Sequence, residues 1–379
     1  VKDVSVEAVL PLKLAGGREG AELQRALTLI TSVDHFWTGV DRFTFHIILP
    51  APDIEIARAA IPPLARSAVR FHDENDIIPG ITAFAGSGWF KQQVLKLAAC
   101  SIMSGAFFMT FDADIVCVKS ITARDFIRDG KCCNDWDDTR QNSDWWAVSA
   151  QMVGLTKTEP LGMSVTPQML SVTLCRDLIA FLIQRHGAEA LLNLTAQSGW
   201  TEYSLYHCYA ELTHTLHDFH HSPNFIRQNQ IAHRLQDARL NVWWPEQFLT
   251  WQPARALIDS TPGAFMVLQS RAEIPLELYL GRIEDEFYAP YRDKLQRSNF
   301  RDLSVVEFLF AAYKALLGRD IDLDGMNAFL AQIAETRDFA AVITALLGSD
   351  EREKMLARQR QTQEVSPPAP RLGPEAPAG

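Results

Sequence analysis

The feature that most constrains this chain is a continuous apolar run at residues 106–111 (AFFMTF), followed at once by Asp112-Ala113-Asp114. A run of strand length without polar alternation suits a strand buried on both faces, as in a sheet covered by helices. Ahead of it, residues 86–104 (GSGWFKQQVLKLAACSIMS) predict an amphipathic helix. Phe90, Val94, Leu97, Ala98 and Met103 form its apolar stripe, with Lys91, Gln92 and Lys96 off it. Helix followed by buried strand is the unit of an open α/β sheet, and ligands of such sheets bind outside the carboxyl ends of the strands. Asp112 and Asp114 fall at that end. Two carboxylates there repel each other and resist burial unless a cation or hydrogen bonds compensate. A divalent ion does so while bridging a diphosphate. The plainer alternative is one aspartate capping the next segment and the other in solvent.

The same alternation of strands and helices precedes the run. Residues 4–12, 42–49 and 68–72 predict strands, and residues 20–33 and 54–64 predict helices. Further on, residues 145–155 predict a strand, 167–186 contain a helix, 201–212 predict a helix, and 265–270 the last strand of the large domain. From 304 to 347 the pattern is wholly helical, and after about 353 it becomes charged and then rich in Pro and Ala. The expected organisation is a large α/β domain over 1–296, a small all-α domain over 297–352, and a disordered tail or linker over 353–379.

Composition excludes several classes. A net charge of -10 and a pI near 5.5 leave no basic footprint for nucleic acid. No apolar run approaches the roughly 20 residues that span a bilayer, and the first residues carry no signal-peptide pattern. Six cysteines without a CxxC pair suit free buried thiols in a reducing compartment. The expected location is the cytoplasm, with peripheral attachment to the inner membrane as the variant. The absence of GxGxxG and of a P-loop speaks against dehydrogenases and kinases.

Four segments in order, GWFKQQVLKL, the DAD tripeptide, TPQML at residues 166–170 and WTEYSLY at residues 200–206, resemble an uncharacterised bacterial glycosyltransferase-like family of GT-A type, found among proteins for surface-polysaccharide assembly. The resemblance covers about residues 4–275. It implies a Rossmann-like open mixed sheet, and a transferase that moves a sugar from a nucleoside-diphosphate donor, a UDP-sugar or else a GDP-sugar, to a glycan or lipid-linked acceptor. Asp112 and Asp114 would hold Mn²⁺ or Mg²⁺ and through it the donor diphosphate. Lys91, Gln92 and Lys96 would contact the nucleotide or orient the carboxylates. Glu202, at a predicted helix start, would deprotonate the acceptor as in inverting enzymes, unless it only caps that helix. Thr166, Gln168 and Trp200 would line the substrate site.

A third metal ligand stays open between His214, His217, His220 and His221 in one stretch and Gln269 in another. The acidic, aromatic residues 132–146 suit sugar stacking or a solvated loop equally. The segment YKALLGRDIDLDG resembles a small phycobilisome-linker-like helical domain of unknown function, which implies tethering to a protein partner. Asp320, Asp322 and Asp324 imitate a calcium loop, but its twelfth position is Ala331 where a bidentate Glu is needed; helix capping is the better reading. The competing function is a non-catalytic glycan-binding or scaffold protein on the same fold. A nucleotidyltransferase or phosphodiesterase would need further carboxylates.

Overall fold

In the computed structural model the apolar run becomes a strand placed second from one edge of a five-stranded sheet. The residues described are 6–14, 19–228, 235–251, 253, 255–272, 274, 276 and 279, then 309, 312, 313, 316, 317, 319–336 and 339–354. The principal strands are β1 (Glu7–Pro11), β2 (Phe43–Leu49), β3 (Ser67–Asp73), β4 (Phe107–Thr110), β5 (Ile115–Cys117), β6 (Gln168–Ser171) and β7 (Phe265–Val267). The sheet order is β6-β4-β1-β2-β3. β1 runs parallel to β2 and β4, β2 parallel to β3, and β6 antiparallel to β4. This is the open sheet, flanked by helices, that the strand pattern predicts, and its antiparallel β6 makes it the mixed sheet that the resemblance implies. β5 pairs apart from it, antiparallel to β7, with Phe265 opposite Cys117.

Alternation along β1 and β4 divides the core between the two faces of the sheet. Val9 and Phe108 point into one cluster, with Val94 and Leu97 of α3 (Gly88–Ala98), Leu178 of α5 (Val172–His186) and Leu205 of α6 (Glu202–Leu212). Ala8, Leu10, Phe107 and Met109 point into the other, with Leu29, Ile30 and Val33 of α1 (Glu19–Phe36), Ile115 of β5 and Phe265 of β7. A fully buried Leu or Phe contributes roughly 1.5–3 kcal/mol, so a strand with both faces covered anchors the turn that follows it. β4 is such a strand.

One local expectation is corrected. Residues 145–155 form no strand: α4 (Ser143–Val153) is helical and buries Trp146, Ser149, Ala150 and Val153, a helical spacing hidden by its continuous apolar run. It ends at Gly154, whose φ of +86° is the left-handed conformation of a helix C-cap. Lys96, off the apolar stripe, is buried all the same. α3 is covered by the sheet on one side and by the start of α6 on another, so every residue from Gln93 to Ala98 is buried.

The chain divides into two units, Val1–Asn299 and Phe300–Gly379. In the second, Met326 and Ile333 of α7 (Leu323–Thr336) and Val342 and Leu346 of α8 (Phe339–Leu347) are buried, as are Leu309, Tyr313 and Ile321. Asp322 Oδ1 accepts from Gly325 N at 2.7 Å and so caps α7, while its Oδ2 pairs with Arg319 at 3.0 Å. A Cβ at Gly325 would crowd the Tyr313 hydroxyl, which would have to shift. The tail expected after 353 lies outside the described residues from 355 onward. Among the described residues no helix is long and apolar enough to cross a membrane. All six cysteines are buried and free.

Candidate functional site

At the carboxyl end of β4, Lys96 gathers two carboxylates that lie far apart in sequence. Its Nζ is 2.7 Å from Asp112 Oδ1 and 2.8 Å from Glu202 Oε1. The Lys96 side chain is 1% exposed and that of Glu202 2%, whereas Asp112 keeps 35%. Burial opposes the ammonium charge, but the Asp112 and Glu202 carboxylates outweigh it and hold the Lys96 pKa well above the usual lysine value. Lys96 is therefore a permanent buried cation. The Tyr203 ring lies 5.7 Å from its ammonium.

Glu202 reaches this position because α6 starts there. Thr201 is its N-cap, accepting from Ser204 N at 3.1 Å, and Ser204 Oγ accepts from Thr201 N at 3.0 Å to close a capping box. Ser204 also meets Ser149 of α4, Oγ to Oγ, at 2.7 Å. Gln93, with its amide NH₂ turned toward Glu202, donates to that carboxylate. Burial raises the Glu202 pKa, Lys96 lowers it, and Asp112 adds to the rise; the net shift is upward.

Asp114 is clasped by the segment that follows β7. It is 8% exposed, and its Oδ2 accepts from Ser270 N at 2.9 Å, just beyond β7. Leu268 N donates to the Asp114 carbonyl at 2.8 Å. Arg25 of α1 holds the same segment, donating to Leu268 O at 2.8 Å and Ile274 O at 3.0 Å. Burial first, then the charge of Asp112, push the Asp114 pKa up to about 6, against the Ser270 amide and Arg25. Among the described residues no group of three or more His, Cys, Asp or Glu converges to hold a metal. Asp112 and Asp114 nevertheless fit a hard divalent ion, which often takes one or two carboxylates and completes its shell with phosphates and water.

The other expected residues divide. Thr166 Oγ1 lies 3.5 Å from Thr110 O, and Thr110 Oγ1 bonds the Tyr203 hydroxyl at 2.8 Å and Gln168 O at 3.1 Å, so these groups stack beside the end of β4. The Gln168 amide is fully buried and engaged within the fold, accepting from Asn134 Nδ2 at 2.9 Å and donating to Asp135 O at 3.2 Å. Trp200 is fully buried, donates to Gln197 O at 2.9 Å and stacks on Phe90. Lys91 donates to Thr82 O at 3.3 Å, and Gln92 is half-buried on α3.

The histidine stretch serves elsewhere. His220 sits between the Tyr206 hydroxyl at 2.7 Å and Asn134 Oδ1 at 3.2 Å, and burial drives its pKa down to about 3. His221 donates to Arg128 O at 2.9 Å. His214 and His217 line a separate cavity. Gln269 is half-buried next to Ser270, its Oε1 accepting from Arg271 N at 3.2 Å. Sequence inspection misses Gln93, Thr110, Tyr203, Ser270 and Arg25. Only Tyr203 carried a local signal, as the neighbour of Glu202 in the WTEY segment.

A family model described as a family of unknown function (DUF6492) matches residues 3–292. No curated protein matches the chain at a significant level. Among solved structures, mouse xyloside xylosyltransferase 1 in its apo form is 14% identical, with a TM-score of 0.42; the match covers 72% of this chain and 100% of that one.

Proposed function

The chain belongs to DUF6492, a family of unknown function, and from its site we propose that it is a metal-dependent glycosyltransferase of GT-A type. It would move a sugar from a nucleoside-diphosphate donor, a UDP- or GDP-sugar, to a hydroxyl of a glycan or lipid-linked acceptor in surface-polysaccharide synthesis. One observation carries this: Lys96 holds Asp112 by an ion pair at the end of a buried strand, two residues before the buried carboxylate of Asp114.

In such a transfer the bond from the sugar carbon to the diphosphate breaks, the acceptor oxygen bonds that carbon, and the acceptor hydroxyl loses its proton. Asp112 and Asp114 would hold Mn²⁺ or Mg²⁺, which when bound neutralises the charge gathering on the diphosphate. Lys96 occupies one Asp112 oxygen and leaves the carboxylate a single orientation, so the site is organised before ligand arrives. Glu202 balances the Lys96 charge. To serve as the base it would have to leave Lys96 and reach the acceptor hydroxyl, so we assign it to positioning. Gln168 and Trp200, buried with their polar groups engaged, shape the site from behind.

The test is a thermal-shift titration of UDP- and GDP-sugars with Mn²⁺. Wild type is expected to shift with at least one donor, and Asp112→Asn/Asp114→Asn with none. Equal donor binding and transfer in the double variant would sink the proposal. The burial of Glu202 favours one second reading, a glycan-binding protein without turnover. It predicts no donor shift in wild type.

A further inference from the structure

The large unit holds a cavity of about 670 Å³ lined by Trp136, Lys157, Glu159, Glu211, His214 and His217 among others. That volume is within the range of small-molecule pockets, roughly 300–1,000 Å³. Glu211 follows Glu202 on α6 by nine residues, so the cavity wall lies about 14 Å along the helix axis from the Lys96 ion pair.

Four buried polar atoms at or just behind this wall have no partner: Glu211 Oε2, His207 Nδ1, Trp136 Nε1 and Trp146 Nε1. They form one cluster. His207 Nε2 is 3.0 Å from Glu211 Oε1, and the Trp136 and Trp146 rings meet the imidazole edge to face at 5.5 and 5.3 Å. Glu211 is 9% exposed, and its Oε1 also accepts from Glu159 N at 3.1 Å, while Oε2 accepts nothing. Buried polar groups in folded proteins are nearly always paired, and the unmet oxygen belongs to Glu211, which lines the cavity. His214, at the left-handed turn that closes α6, borders the cavity with its side chain.

The lining selects a ligand. One lysine stands against two glutamates, which gives no cradle for a diphosphate. A half-buried indole beside carboxylates and imidazoles suits a ring with an apolar face and hydroxyl donors at its edge. We propose that this cavity is a saccharide-binding site for a neutral sugar residue of a glycan, separate from the site at Asp112 and Asp114.

Isothermal titration of the full chain with maltotriose, cellotriose and chitotriose tests this. At least one should give a saturable isotherm, weakened tenfold or more by Trp136→Ala and by Glu211→Gln, and unchanged in Asp112→Asn/Asp114→Asn. Circular dichroism checks folding, and if Trp136→Ala unfolds, Glu211→Gln carries the test. No isotherm with any of the three, or one unmoved in every folded cavity variant, overturns the proposal. Persistence in the double aspartate variant keeps this outcome independent of the transferase reading.

Discussion

The two ends of α6 carry the same residue in opposite conditions. Glu202, at the start, is buried with Lys96 and Gln93 around its carboxylate. Glu211, in the last turn, is nearly as buried, yet one of its oxygens meets nothing. Compensated burial describes a group whose work is done on folding. Uncompensated burial describes a group still waiting for a partner.

Breaking the compensated end should have the largest effect. Lys96→Met strands Glu202 in the interior, and losing one member of a buried pair costs about 3–5 kcal/mol. Urea denaturation measures it. Adding Glu202→Leu should recover much of that stability, because apolar replacement of a whole buried pair is often neutral, without recovering donor binding.

Asp114→Asn should act next, and in the opposite direction. The Asp114 pKa is raised in the folded state to about 6. Its contribution is therefore complete below the ordinary carboxylate value, near pH 4, and is lost as pH rises through 6. In metal-free buffer wild type should lose about 3 kcal/mol relative to the asparagine variant between pH 4 and 7. Parallel pH profiles for the two proteins would contradict the shift. Mn²⁺ at pH 7.5 should restore stability to wild type alone.

Glu202→Gln separates positioning from base catalysis. In a positioning role it loses a charged hydrogen bond of about 1.5–3 kcal/mol, and donor affinity falls together with kcat. A base would instead show kcat reduced about 10²–10⁴-fold with donor affinity intact. The smallest effect belongs to the uncompensated end: Glu211→Gln should change stability by under about 1 kcal/mol, since it retains an acceptor for Glu159 N and removes a buried charge.

The sheet was legible because local periodicity encodes it. The apolar run of β4 announces burial on both faces, and the helix before it shows its stripe plainly. Residues 145–155 misled because WWAVSA reads as a strand unless its buried positions are known. Lys96 lies off the apolar stripe of α3, as the helical spacing says. That spacing cannot show that α6 would arrive, more than a hundred residues later, to bury it against Glu202. The helical reading of residues 201–212 placed Glu202 near the start of α6; the Thr201–Ser204 capping box that fixes it there emerges only in the fold. Ser270 and Arg25 carried no signal, because their roles exist only once β7 pairs with β5.

That pairing bears on how the molecule is made. A nascent chain synthesised only to residue 260 already contains Lys96, both aspartates and Glu202. It lacks the strand that pairs with β5 and the amide that clasps Asp114. The ribosome thus releases a nearly whole α/β sheet well before a competent site, and completion waits on a few residues from the far end of the large unit.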